Sequence, residues 1–226
     1  MSASNQKSGM AITSLVLGVL SLLCFGFLAG IPAIILGHIA HNRSRKLPEE
    51  YGGGGLATAG FIMGYLSIVW TMLVVAMLFP ALAKAKERAQ EIRCAANMRV
   101  TYASLRVWQA NHGGQWPFNV STNRGGTMEL CLRDDDGVDR NAALHLRALS
   151  GELASPNFLV CPADTTKQSA TSIQELQPDN LSYQLRTGAD VNAGHPEEIL
   201  LRCPIHGNIL RCNGSIELGR SQRRLR

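Results

Sequence analysis

The chain has 226 residues, with 22 Lys+Arg against 17 Asp+Glu and a net charge of +5. No charged residue lies between Lys7 and Arg43 and none between Glu50 and Lys84, so 18 of the basic and 15 of the acidic residues follow Ala83. Two uncharged apolar runs longer than ~18 residues exclude a simple soluble protein. The basic residues, scattered without interleaved aromatics, exclude a nucleic-acid partner.

In chain order, the first run is Met10–Ala40. It is longer than the ~20 residues a membrane helix needs, so it is expected to tilt, overhang or bend. Pro32, which lacks a backbone donor, is the expected bend. The run is too long for the apolar core of a signal peptide. The second run is Leu56–Leu82, closed by Pro80 and followed by Lys84, Lys86 and Arg88. The runs look like an internal repeat. Gly9-Met10-Ala11 aligns with Gly55-Leu56-Ala57, and Gly18-Val19-Leu20-Ser21 with Gly64-Tyr65-Leu66-Ser67. Gly26 with Gly30, and Gly60 with Gly64, are small-residue pairs at helical spacing. Such pairs suit close helix packing, within a hairpin or between two copies of the chain. Between the runs lie Arg43, Arg45 and Lys46 and a flexible hinge, Gly52–Gly55.

Beyond Pro80, strong helix formers continue to Ile92, and Ile92, Ala96, Val100, Ala103 and Val107 recur at spacings of three and four. Leu105 and Trp108 widen this stripe, and Asn111-His112-Gly113-Gly114 stops it. One helix of about 55 residues is therefore expected from the second span onward. Short strands are expected at Thr127–Leu132, Phe158–Cys161, Leu181–Leu185, Ile199–Cys203, Asn208–Cys212 and Ser215–Leu218, with a tight turn at Asn213-Gly214. A short helix is expected at Ala142–Leu149, capped by Asn141. The expected fold is an α+β membrane protein. Residues 1–83 form a two-helix transmembrane hairpin; residues 84–226 place a long helix on a small, mostly antiparallel sheet and end in a basic tail.

Ser8-Gly9-Met10-Ala11, Gly30-Ile31-Pro32-Ala33, Leu36-Gly37-His38-Ile39-Ala40 and Gly55-Leu56-Ala57 resemble a small two-helix bacterial membrane domain of unknown function. The second half resembles the pilin-like proteins (pseudopilins) related to type II secretion. The likeness rests on Phe79–Ala89, Ile92–Met98, Asn111–Pro117, Ser155–Asp164, Asn180–Tyr183, Pro196–Leu200 and His206–Ile216. That resemblance implies a structural, non-enzymatic envelope protein in the bacterial cytoplasmic membrane. Its soluble part would lie on the periplasmic or extracellular side, with secretion-system or pilin-like partners. The chain departs from the pilin pattern. Gly60-Phe61 stands where a leader would be cut, but Tyr65 replaces the expected Glu, no basic residue adjoins Gly60, and Asn213 replaces the Asp of the terminal signature. Cleavage between Gly60 and Phe61 is therefore not expected.

No catalytic motif is present. Asp134, Asp136 and Asp139, around Gly137, are a candidate calcium loop, although the downstream Glu of an EF-hand is missing. Cys161 and Cys203 each precede a proline at the end of an expected strand, which favours extended backbone at both. The first expectation is a Cys161–Cys203 disulfide and the second is free thiols. The third is zinc held by Cys161, Cys203, His206 and Cys212, as in a metal-binding or sensory protein whose soluble part is cytoplasmic.

Overall fold

The computed structural model describes residues 8–20, 26–48 and 50–219, with the packing of residues 10, 26 and 27 outside the described set. Gly26 as a packing residue and the basic tail beyond residue 219 thus fall outside it. The chain divides into two compact units, residues 1–84 and 85–226.

In the first unit, the expected single span at Met10–Ala40 is instead two helices, α1 (Gly9–Leu20) and α2 (Gly26–Lys46). Pro32 lies inside α2 rather than at a break. Twelve residues of α1 rise only ~18 Å, short of a ~30 Å hydrocarbon core. The third helix, α3 (Gly54–Asn111), is continuous through Pro80 over 58 residues. Among the described residues it is the one helix long and apolar enough to cross a membrane; Ala11–Leu20 is apolar but short. A second transmembrane helix is therefore not borne out.

Glycines set how these helices pack. A Cβ on Gly18 would lie 2.9 Å from the Gly60 carbonyl, and one on Gly60 would lie 2.8 Å from the Ser14 carbonyl carbon. On the other side, a Cβ on Gly30 would lie 2.7 Å from Ser67 Oγ, and one on Gly64 would lie 3.0 Å from the Gly30 carbonyl. One on Gly37 would meet Phe61 Cβ at 2.8 Å. The order of these contacts makes α1 parallel to α3 and α2 antiparallel to both. Gly30, Gly60 and Gly64 are thus occupied within the chain. The repeat is also visible: Ser14 packs against Gly60, its equivalent, and Ala11 and Ala57 are buried together with Ala40. Ser14 is fully buried and donates to the Ala33 carbonyl at 2.9 Å. Beyond Ile68 the described glycine contacts stop, and Met72, Met77 and Phe79 are each at least 70% exposed.

The second unit is built on the far part of α3. Its buried stripe is Glu91, Cys94, Met98, Thr101, Leu105 and Trp108, at alternating spacings of three and four. The expected stripe is buried only at its widening residues, Leu105 and Trp108, with Val100 half-buried; Ile92 and Val107 lie on the outer face, 62% and 52% exposed. The buried face is disguised by small polar side chains whose hydrogen bonds are satisfied. Thr101 donates to the Asn97 carbonyl, Ser104 to those of Val100 and Glu152, and Asn97 to that of Val160.

The sheet is a four-stranded antiparallel meander, β1 (Gln184–Leu185), β2 (Ile199–Arg202), β3 (Ile209–Arg211) and β4 (Ile216–Glu217). A register shift between Ile199 and Leu201 lets consecutive Leu200 and Leu201 both be buried. Gly214, at φ +86°, turns the chain from β3 to β4 as Asn213-Gly214 predicts. The other expected strands are different. Met128–Leu130 and Pro156–Leu159 are 3-10 turns, the latter started by Pro156. The expected short helix is α4 (Ala142–Arg147), but Asn141 does not cap it. Its amide donates to the Leu130 carbonyl instead. Trp116, Phe118, Leu146, Leu159, Leu176 and Leu210 fill the core against α3.

Candidate metal centre

Three separate segments bring sulfur to one point. Cys94 sits in the buried stripe of α3, Cys161 follows the Pro156–Leu159 turn, and Cys203 follows β2, three residues before His206. Two α3 amides hold the Cys161 segment: Asn97 donates to the Val160 carbonyl at 3.1 Å and Gln90 to the Pro162 carbonyl at 3.3 Å. The Cys203–Asn208 loop is closed on itself by Cys203 N–H to the Asn208 carbonyl and Gly207 N–H to the Cys203 carbonyl, at 2.9 and 2.8 Å. Gly207, at φ +74°, supplies the left-handed residue this loop needs. The buried Asn208 amide then donates to the Glu91 carbonyl at 3.1 Å and accepts from Gly219 N–H at 3.0 Å, tying the loop to α3 and to the chain beyond β4.

The result is four donor atoms, from Cys94, Cys161, Cys203 and His206, all within 4.8 Å of one another. His206 Nδ1 is 3.3 Å from Cys161 Sγ and 3.9 Å from Cys203 Sγ. The three cysteines are at most 1% exposed and His206 is half-buried. Hydrogen bonds from Cys161 and Cys94, joined by the N–H groups of His206 and Ile205, pull Cys203 well below the ordinary thiol range. Cys94 is pushed far up by its bonds with Cys161 and Cys203 and by burial, and Cys161 is raised chiefly by its bond with Cys203. The buried Tyr183 hydroxyl beside Cys94 has no hydrogen bond, and burial, then Cys94, holds it above the usual tyrosine range.

All five described cysteines are free. The structure brings Cys161 and Cys203 together as expected, but as free thiols and with two further donors. Cys212, the fourth ligand expected from the sequence, stands apart from this group; Cys94 takes its place. Burial pushes the Cys212 thiol up to about 12. Cys94 lies 67 residues upstream of Cys161, and sequence reasoning overlooked it. Its position in the three-and-four stripe of α3 is the signal that marks it as inward-facing.

The acidic loop does not gather its oxygens. Asp134 caps its own turn, accepting from the N–H groups of Asp136 and Val138 at 3.1 and 2.8 Å. Asp139 turns inward, accepting from Leu132 and Asn141 N–H and from the Thr187 hydroxyl. It also faces His145 Nε2 at 3.2 Å. Burial pushes the Asp139 carboxyl up, but the Thr187 and Asn141 bonds outweigh it and leave it below the usual range. Burial lowers His145 despite the carboxylate beside it. Thr127 Oγ1, 2.7 Å from Nδ1, fixes the ring. Cys131 lies within 4.8 Å of this pair, its thiol raised by burial rather than activated. Asp139 is thus held inward by the fold, while Asp134 closes its own turn.

No curated protein and no solved structure matches the chain. One family model does: residues 10–74, covering the α1–α2 pair and the start of α3 but none of the sulfur cluster, match a domain of unknown function, DUF4190.

Proposed function

We propose that this is a non-enzymatic, membrane-anchored protein of the bacterial cytoplasmic membrane whose second unit has a structural or interaction role in the envelope. The observation that carries this reading is α3. One continuous helix runs as a bare apolar stretch through Met72, Met77 and Phe79 and then becomes the buried backbone of a folded unit at Cys94–Trp108. The sulfur cluster, closed and buried, fits a role in holding the fold rather than in turning over a substrate. The sequence resemblance of residues 79–216 to pilin-like proteins is the other ground for this reading.

In this reading α3 crosses the bilayer once, and α1 and α2 form a short hairpin that enters beside it and returns. Lys7 and the loop with Arg43, Arg45 and Lys46 stay in the cytoplasm and the second unit lies outside; the resemblance gives this orientation, since Lys84, Lys86, Arg88 and Arg93 after the span balance the basic residues of the other side. The N-terminus and the second unit are then on opposite faces, whereas two full spans would put both termini on the same face. A second reading, with the second unit in the cytoplasm, draws on the five free cysteines among the described residues, which suit a reducing compartment.

Reporter fusions in a bacterial host test this directly. Alkaline phosphatase after residue 226 is expected to be active and a cytoplasmic fluorescent reporter there silent, with the reverse at the N-terminus. The same reporter active at both ends would contradict the single crossing. Fluorescence at the C-terminus alone would favour the second reading. Release of the protein by carbonate washing would reject the anchor.

A further inference from the structure

We propose that Cys94, Cys161, Cys203 and His206 form a structural zinc site. Zinc takes four ligands in a tetrahedron, with Zn–S near ~2.3 Å and Zn–N near ~2.0–2.1 Å, so ligand atoms should stand about 3.5–3.8 Å apart. Four donor atoms within 4.8 Å of one another, with Nδ1–Sγ distances of 3.3 and 3.9 Å, lie around those edges. Three sulfurs and one imidazole select a thiophilic cation over calcium or magnesium, which take oxygen.

A disulfide accounts for less of this geometry. A Cys161–Cys203 bridge uses two sulfurs and leaves Cys94 and His206 aimed at the same point with nothing to bind. A metal uses all four. One further feature fits a thiolate centre. The buried Tyr183 hydroxyl, beside Cys94, has no hydrogen bond. A Cys94 thiolate gives it an acceptor.

The site is closed, with four protein ligands and none left open, as structural zinc sites are. Its ligands come from α3, from the 3-10 turn after α4 and from the β2–β3 loop. The ion therefore ties together three segments that are otherwise joined by hydrogen bonds and apolar contacts. Binding requires the thiols to give up their protons, so occupancy falls in acid.

The test uses the full chain, purified in detergent under reducing conditions. Elemental analysis should find about one zinc per chain, and growth with cobalt should give a tetrahedral cobalt spectrum with thiolate charge-transfer bands. Cys94→Ser and Cys161→Ser should each lose the metal. His206→Cys should keep it, with a cobalt spectrum shifted toward four sulfurs; Cys212→Ser and Cys131→Ser should leave both readouts unchanged. The wild-type cobalt spectrum decides the matter even where a variant fails to fold. Three results would overturn the site: a metal-free protein that takes up no cobalt, a Cys161–Cys203 disulfide by peptide mass analysis, or full zinc content in Cys94→Ser.

Discussion

The two units are held together by opposite means. In the first, residues with almost no side chain decide the packing: Gly18, Gly30, Gly37, Gly60 and Gly64 let three helices touch backbone to backbone, and the apolar side chains point outward. In the second, large side chains converge, with Trp116, Phe118 and eight fully buried leucines against α3. The difference follows from the surroundings each unit is built for. Where the medium is as apolar as leucine, burying leucine gains nothing and close approach is what remains. In water, apolar area removed from solvent is the main driving force. Substitutions at the two kinds of contact should therefore fail for opposite reasons, one by adding atoms and the other by removing them.

The largest effect is expected at the buried pair of the second unit. Asp139→Ala removes the acceptor of two backbone N–H groups and the Thr187 hydroxyl and leaves His145 without its carboxylate, costing about 3–5 kcal/mol. Denaturant titration followed by tryptophan fluorescence measures it, since Trp108 and Trp116 lie in this core. Leu210→Ala, in the centre of β3, should cost about 2–5 kcal/mol through its cavity, read the same way. In the first unit the sign of the size change reverses. Gly64→Leu should cost about 1–3 kcal/mol by overpacking against Gly30 and Ile34, and proteolysis in detergent should open the connection between α2 and α3. The smallest effect is at Ile92→Ser, on the exposed face of α3, expected within about 0.5 kcal/mol. A loss of several kcal/mol there would restore the face the sequence pattern favoured.

Acid should separate the units as well. His145 and Asp139 both have folded values below their ordinary ones, so the unfolded chain binds protons first and stability falls as pH falls. The His145 contribution declines from about pH 6.5 toward its lower folded value, and that of Asp139 from about pH 3.9 downward. His145→Gln keeps a partner for Thr127 but cannot titrate. Thermal melts of the two proteins should therefore converge as pH drops below about 6.5; parallel curves would show that His145 stays unperturbed.

How much of this was legible in the sequence depends on whether the signal was local. The continuity of α3, the turn at Asn213-Gly214 and the β2–β4 hairpins rest on neighbouring residues, and they appear as expected. The α1–α2 break does not, because no charge interrupts Lys7 to Arg43; only the excess length of that run hinted at it. The buried face of α3 was legible at Leu105 and Trp108 but not before them, because Glu91, Asn97, Thr101 and Ser104 are polar and find their partners in distant segments or in the helix's own carbonyls. The same cause hid Cys94. Cys161 and Cys203 drew notice through their prolines, whereas the third sulfur is joined to them only by tertiary structure.

The central claim is that a metal centre, and not the apolar core alone, locks α3 to the sheet in the second unit, while the first unit needs no such tie. Hydrogen exchange on the full chain in detergent, with and without a zinc chelator, tests it most directly. On chelation, amides of residues 94–108 and 203–211 should lose protection together, while those of residues 57–68 stay as they were. Unchanged exchange at 203–211 after the metal has been removed would contradict the account.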